Sequence, residues 1–467
     1  MVPKNRSEIQ VGEDAYRNLS LKLRGHVITR ASAEYEVARR VYNQMIDRRP
    51  EAIVRCADVA DVMTAVNFAR ERDLLVAVRG GGHNGAGFGV CDNGVVIDLS
   101  TMRKVLVDPV RKTIRAEGGC TQADLNHEAH RFGLAVPLGV ISTTGIGGLT
   151  LGGGTGYLTR KYGLTLDNLL EASLVLADGH FVTASATENP DLFWAIRGGG
   201  GNFGIVTSFI FQGRPVAEVF AGPMLWEMEH ARELLQWYRE ISPALGEELS
   251  GFFAFLKVPS GAPFPEELHR KTMCGIVWAY CGPLDKTEEA FRPVRRFRAP
   301  KFELTGLMPY PALQSMFDGI YPPGLQWYWR GDFLSEIPDA AIEVHLKYGQ
   351  RLPTLQSTMH IYPTDGAASR VDRHATAFSY RDAKWSMVIV GVDPESANAE
   401  KATAWTKDYW AALRPFSLGG AYVNFMMDEG IDRVKATYRD NYDRLVETKQ
   451  KYDPDNVFRL NQNIRPV

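Results

Sequence analysis

The chain has 467 residues, of which 45% are hydrophobic and 23% charged, with a formal net charge of −2. That length exceeds what one hydrophobic core organises and predicts two domains or three. The near-neutral balance argues against a nucleic-acid or membrane-surface partner. Five cysteines, odd in number and outside metal-ligand spacing, fit free thiols in a reducing compartment, with the cytoplasm as the expected location. The opening M-V-P-K-N-R-S-E-I-Q lacks the apolar stretch of a leader peptide.

Along the chain, short β-like runs first alternate with helical ones. I-V-R-C (53–56) reads as a strand, 58–72 as an amphipathic helix, L-L-V-A-V-R (74–79) as a strand and V-V-I-D-L (95–99) as another. The segment 104–117 predicts a hairpin turning at Asp108-Pro109. Thr121 is placed to cap a helix over 122–132, with Asp124 three residues on as in a capping box. Between Arg131 and Arg160 no residue is charged, a length that suggests a membrane span. Nine glycines and several hydroxyls in that run make a buried loop system the better reading. A hairpin around Asp178-Gly179, a helix from Pro190 to Ile196 and a strand I-V-T-S-F-I-F follow. Near Gly213-Arg214-Pro215 the glycine runs stop and tryptophan and tyrosine become frequent, which predicts a domain boundary. The last fifty residues open with a helix over 431–450.

Three glycine runs (80–89, 145–156 and 198–204) carry the functional signal. Gly80-x-Gly82-x-x-Gly85 and Gly199-x-Gly201-x-x-Gly204 formally match the dinucleotide fingerprint. That fingerprint needs a helix after the turn, and here the first match runs into more loop and the second into a strand. A Rossmann-type nicotinamide site is therefore not expected. Glycine N–H groups can still cradle phosphate oxygens without a helix, and the lack of Cβ lets a ligand come close. Three runs suit an extended ligand carrying a pyrophosphate; the bland alternative is a set of tight turns. Arg79 and Arg197 are candidate phosphate partners or ordinary ion pairs. His127 and His130 stand three apart on a helix, but no third ligand supports a metal. His83 differs from the other histidines because glycines flank it at the expected ligand end of a strand.

Four long motifs in order, V-R-G-G-G-H-N-x-A-G, G-G-L-T-L-G-G-G-T-G-Y-L-T-R-K-Y-G-L-T-L-D-N, N-P-D-L-F-W-A-I-R-G-G-G-G-N-F-G-I-V-T and Y-D-P-D-N-V-F-R-L-N-Q-N-I, resemble the berberine-bridge-enzyme-like FAD-linked oxidases of the vanillyl-alcohol-oxidase/PCMH superfamily. The resemblance implies an α+β fold. A PCMH-type FAD-binding domain (1–213) is followed by an inserted substrate domain (214–418) with a large antiparallel sheet, and a segment (419–467) returns to the FAD domain. It implies FAD joined through a ring nitrogen of His83 to the 8α-methyl group. Many relatives carry a second, cysteinyl tether at the place that falls here on Ile141, and no cysteine stands between Cys120 and Cys274. A single link through His83 is therefore expected.

The same resemblance implies that the cofactor is held by Arg79, Gly80, Gly81, Gly82, Asn84, Ala86 and Gly87 of the first motif. From the second it implies Thr144, Gly147, Gly148, Gly154 and Asn168, from the third Gly204, Ile205 and Val206, and from the C-terminal motif Asn461 and Asn463. A tyrosine of carbohydrate-oxidising relatives resembles Tyr422 of G-G-A-Y-V-N-F. Alkaloid-type relatives use a glutamate from a strand that here reads H-A-T-A-F-S-Y-R (374–381), where no carboxylate follows Asp372. Tyr422 is the expected catalytic base, with Tyr380, Tyr157 and His360 as further candidates. The implied reaction is oxidation of a sugar, alcohol or aromatic metabolite by hydride transfer to flavin N5, with dioxygen as acceptor and hydrogen peroxide as product. The alternatives are a tailoring enzyme for oxidative cyclisation or oxygen insertion and a flavin-binding protein without turnover.

Overall fold

The computed structural model describes residues 12–467, so the reading of the N-terminal segment as no leader lies outside the described residues. A small sheet comes first, in the order His26–Thr29, Ala52–Arg55, Val95–Asp98, Val76–Arg79, antiparallel at its first pair and parallel after it. The helix Val59–Glu71 connects two of its strands and is capped by Asp58, whose carboxylate accepts from the Asp61 N–H at 3.1 Å. An antiparallel sheet follows in the order Val105–Asp108, Thr113–Glu117, Ile205–Gln212, Leu169–Val175, Phe181–Ser185. The expected cap on the helix Gln122–His130 forms in full, each partner's side chain reaching the other's backbone N–H.

Between residues 218 and 393 the chain builds an eight-stranded antiparallel sheet. One face packs on the helices Ala231–Ala244, Asp339–Gly349 and Ala399–Leu413 through Trp226, Trp278 and Trp385. The opposite face carries Phe252, Trp327, Tyr362, Val388 and Val390 toward the first part of the chain. The two-residue alternation of strands sorts these side chains. In Thr358–Pro363, Met359 and Ile361 enter the helix-covered core, while Thr358, His360 and Tyr362 face the other way. Residues 421–464 return to the core beneath the five-stranded sheet through Val434, Tyr438, Leu445 and Ile464. Among the described residues no helix is long and apolar enough to cross a membrane.

Three expectations need correction. The glycine-rich run is not all loop: Ile146–Gly152 is helical, because Ile146, Leu149 and Leu151 are buried and packing outweighs the poor propensity of glycine. The single helix over 431–450 is two, Ile431–Tyr438 and Tyr442–Tyr452. Arg439 breaks it in a left-handed conformation (φ +47°), where its guanidinium lies 3.5 Å from the centre of the Tyr380 ring and pairs with Asp382. The stretch 374–381 is not a strand but an irregular segment, held by hydrogen bonds from Trp194, Arg197 and Asn441 to its carbonyls.

Candidate active site

The glycine loops converge on a cavity of about 380 Å³. Gly81 and Gly145 bring two of them together, since a Cβ on either would lie 2.3 Å from the other's backbone nitrogen. Only glycine permits that approach, and it sets His83 of one loop beside Thr143 and Thr144 of the other, at 3.0 and 3.4 Å from their hydroxyls. Tyr42 stacks on the imidazole with ring centres 3.8 Å apart. Burial drives the His83 imidazole down to about 3, against a smaller opposing effect of its Thr143 hydrogen bond, so the ring is neutral and nucleophilic at any working pH. The backbone N–H and the hydroxyl of Ser142 both donate to Asp318, tying the threonine loop to the segment after the helix Tyr310–Gln314.

Elsewhere in the wall the Tyr422 hydroxyl accepts two hydrogen bonds, from the Gly154 N–H and from the Asn424 amide, each at 2.7 Å. Glycines make this socket. A Cβ on Gly152 would lie 2.3 Å from the Asn424 side chain, and one on Gly153 would lie 2.8 Å from the Tyr422 ring. Both lone-pair directions of the phenol oxygen are thus used by the protein, and among the described residues nothing accepts its proton. Burial pushes the hydroxyl up to about 12, against the lowering effect of those N–H donors. The lining residues include no carboxylate and a single guanidinium, Arg79.

Residues 50–185 match the family model described as an FAD binding domain, and residues 421–465 match that of berberine and berberine-like proteins. An FAD-linked oxidoreductase of Dictyostelium discoideum is 32% identical over 451 residues, 95% of each chain. The chain belongs to the berberine-bridge-enzyme-like FAD-linked oxidoreductases. The (R)-6-hydroxynicotine oxidase of Paenarthrobacter nicotinovorans is 28% identical across 96% of this chain and 98% of its own. The crystal structure of 6-hydroxy-D-nicotine oxidase from Arthrobacter nicotinovorans superposes with a TM-score of 0.84 at 26% identity, covering 96% of this chain and 99% of that one. The fold is therefore the expected α+β flavoprotein, and the chain is an enzyme.

The cavity of this FAD-linked oxidoreductase fits its cofactor by an independent test. Gly148 and Gly201 both line it, and a Cβ built on either meets nothing within 4 Å. Side chains there would occupy the cavity itself, which explains glycine where no protein atom requires it. Gly80, Gly81, Gly82, Asn84, Thr144, Gly147, Gly204, Ile205, Val206 and Asn461, all expected at the cofactor, also line the cavity. Asn461 donates to the Gly201 carbonyl at 3.2 Å and so ties the C-terminal segment to the third glycine run.

Of the remaining residues expected at the cofactor, only Arg79 reaches the cavity. Arg79 reaches the wall, and its guanidinium pairs with Asp98 at 2.8 Å across two neighbouring parallel strands. Arg197 donates to the carbonyls of Phe193 and Ala375. Ala86 and Gly87 sit behind the loop: both their carbonyls accept from Arg48, and Gly87 (φ +73°) backs onto Ile46. Asn168 is fully buried, donates to the carbonyls of Tyr162 and Leu164 and accepts from Arg214. Gly154 serves Tyr422 rather than the cavity, with a left-handed φ of +84° that glycine tolerates. Asn463 lies off the wall.

Of the other catalytic candidates, Tyr380 is stacked on Phe333 and donates to the Ala436 carbonyl at 2.9 Å. Tyr157 is buried against Phe252 outside the wall. His360 does line the cavity. Sequence reasoning missed Tyr42, Gln122, Asn424, Trp327 and Trp329. Asn424 was within reach, two residues beyond Tyr422 in Y-V-N, whereas Tyr42 has no local signal.

Proposed function

We propose that the protein oxidises a small, neutral, ring-bearing organic substrate, with Tyr422 taking the proton that the substrate's O–H or N–H must lose. The observation that carries this reading is the Tyr422 hydroxyl in the cavity wall, held by two N–H donors that favour its ionised form. FAD, when bound, would supply the two-electron acceptor for the substrate carbon's hydride and the means of reducing dioxygen to hydrogen peroxide. His83 is the attachment point, through a single link between a ring nitrogen and the 8α-methyl group. Its neutral ring supports this, and Ile141 stands in the wall with no cysteine among the lining residues. The wall offers no ionic partner, since Arg79 is already paired, so a neutral substrate is favoured over an acid or an ammonium ion.

In this reading the cofactor-binding part comprises 1–213 with 419–467, and 214–418 supplies the substrate end. The confinement of the eight-stranded sheet to residues 218–393 supports that division. Free thiols at Cys56, Cys91, Cys120, Cys274 and Cys281 support a cytoplasmic location.

The test is rapid anaerobic mixing of the purified flavoprotein with neutral aromatic alcohols, amines and oligosaccharides, following loss of flavin colour. Aerobic turnover of an accepted substrate should release one peroxide per molecule oxidised. Absence of flavin reduction across the panel defeats the proposal, and a peroxide yield well below one favours oxygen insertion.

A further inference from the structure

The aromatic end of the cavity is built from the sheet face that carries Trp327, Trp329, Val388, Val390 and the alternate residues Thr358, His360 and Tyr362. Most of this surface is apolar or already satisfied: the Thr358 hydroxyl donates to the Phe255 carbonyl at 2.7 Å. His360 Nδ1 lies 2.8 Å from the Tyr362 hydroxyl, and Phe252 packs on both rings with centres 4.9 Å away.

The proton in this pair can be placed. A phenol has one hydrogen, and among the described residues His360 Nδ1 is the only group the Tyr362 oxygen bonds. If Nδ1 carried the imidazole hydrogen, the buried Tyr362 O–H would have no acceptor and would go unsatisfied. Tyr362 therefore donates, Nδ1 accepts, and the hydrogen resides on Nε2. Among the described residues Nε2 has no hydrogen-bond partner, yet it is not covered as the indole N–H groups of Trp327 and Trp329 are. It is the open donor of this wall. Burial drives the His360 ring down to about 3, so it stays neutral and offers a hydrogen without a charge.

We infer that His360, fixed as its Nε2–H tautomer by Tyr362, is a positioning residue that recognises a hydrogen-bond acceptor, a carbonyl or ether oxygen or a ring nitrogen, on a neutral aromatic substrate. This rests on the reading of the aromatic end as the substrate's place. It adds a second polar anchor besides Tyr422, so that the reacting carbon is held by two fixed groups.

The experiment measures binding without turnover. Acetophenone and α-methylstyrene differ only in C=O against C=CH₂, and each is titrated into the purified holoenzyme while the flavin difference spectrum is recorded. The wild type is expected to bind the ketone about fivefold to tenfold more tightly, as one hydrogen bond to a buried donor provides. His360→Phe keeps an aromatic ring and should abolish the preference. His360→Gln, which restores a donor, should retain part of it. Tyr362→Phe frees the tautomer and should reduce the preference to about twofold. Equal binding of both probes by the wild type overturns the inference, as does an undiminished ketone preference in His360→Phe or Tyr362→Phe. If His360→Phe does not fold, the Gln and Tyr362→Phe proteins decide the matter alone. Because no oxidation is read, failure to find an oxidisable substrate leaves this result standing.

Discussion

Replacing Tyr422 by Phe removes one oxygen and keeps the ring in its packing against Phe378 and Phe425. Two donors lose their acceptor. The Gly154 N–H is left with nothing, a cost of about 1–3 kcal/mol in stability; Asn424 loses less, because its amide also donates to the Leu149 carbonyl. The protein should therefore still fold, with a lower unfolding midpoint. The chemical loss is larger. A positioned proton acceptor contributes about 10²–10⁴ in rate, equivalent to about 3–5 kcal/mol in the barrier, and it should appear in kcat with little change in KM. Burial holds the Tyr422 hydroxyl near 12, opposed by its two donors, so at neutral pH it is protonated and only a small fraction is ready to accept. That fraction grows tenfold per pH unit as pH rises toward the hydroxyl's own value. Wild-type kcat/KM should climb with pH across the neutral and mildly alkaline range, and the Phe variant should be flat there. Rapid-mixing flavin reduction over a pH series reads both quantities. A variant that keeps more than about a tenth of wild-type kcat, or that keeps the same pH slope, refutes Tyr422 as the proton acceptor.

Acid-denatured wild-type protein should keep its yellow colour on the chain while His83→Ala protein loses it, and proteolysis with mass spectrometry should find flavin on one peptide only. Gly81→Ala places a methyl 2.3 Å from the Gly145 backbone nitrogen, so the two loops must part; flavin content should fall and stability drop by about 1–3 kcal/mol, measured by absorbance ratio and denaturant titration. The side chains of Lys449 and Asp453 are fully buried at 2.6 Å, and Lys449 also donates to the carbonyls of Asn202 and Phe458. Lys449→Met strands the Asp453 carboxylate and should cost about 3–5 kcal/mol in a denaturant titration. Flavin affinity should fall with it, since this knot fastens residues 458–462 to the glycine loop at 199–204.

What was legible in the sequence was what depends on neighbours along the chain. The Thr121 capping box, the turn at Asp178-Gly179 and the N-terminus of the helix Pro190–Ile196 each follow from a few adjacent residues, and each formed. The three glycine runs did meet at one cavity. What failed depends on partners far away. Tyr157, Tyr380 and Tyr422 are alike in sequence, yet only Tyr422 reaches the cavity; Tyr380 is turned away by Phe333 and Arg439, which stand 47 residues before it and 59 after. The break at Arg439 is invisible locally for the same reason. The alternation in T-M-H-I-Y, polar and apolar at period two, went unread, although it marks a strand with one face to the core and one elsewhere.

The glycines of G-L-T-L-G-G-G-T-G divide into two kinds that sequence cannot separate. Gly148 borders open cavity, and its missing side chain leaves room for a ligand. Gly152, Gly153 and Gly154 border Asn424, the Tyr422 ring and Thr165, and their missing side chains leave room for protein. The second group explains why Tyr422 is where it is. A tyrosine 268 positions from Gly154 can point its oxygen at that backbone N–H only because two preceding positions carry no Cβ to block the ring and the amide beside it. A border of the cavity and the socket of Tyr422 thus share one short stretch of backbone. An alanine at 152 or 153 should therefore damage the Tyr422 pH dependence while leaving flavin content nearly intact, whereas one at 148 should do the reverse. If both substitutions lower flavin content equally, the division is wrong.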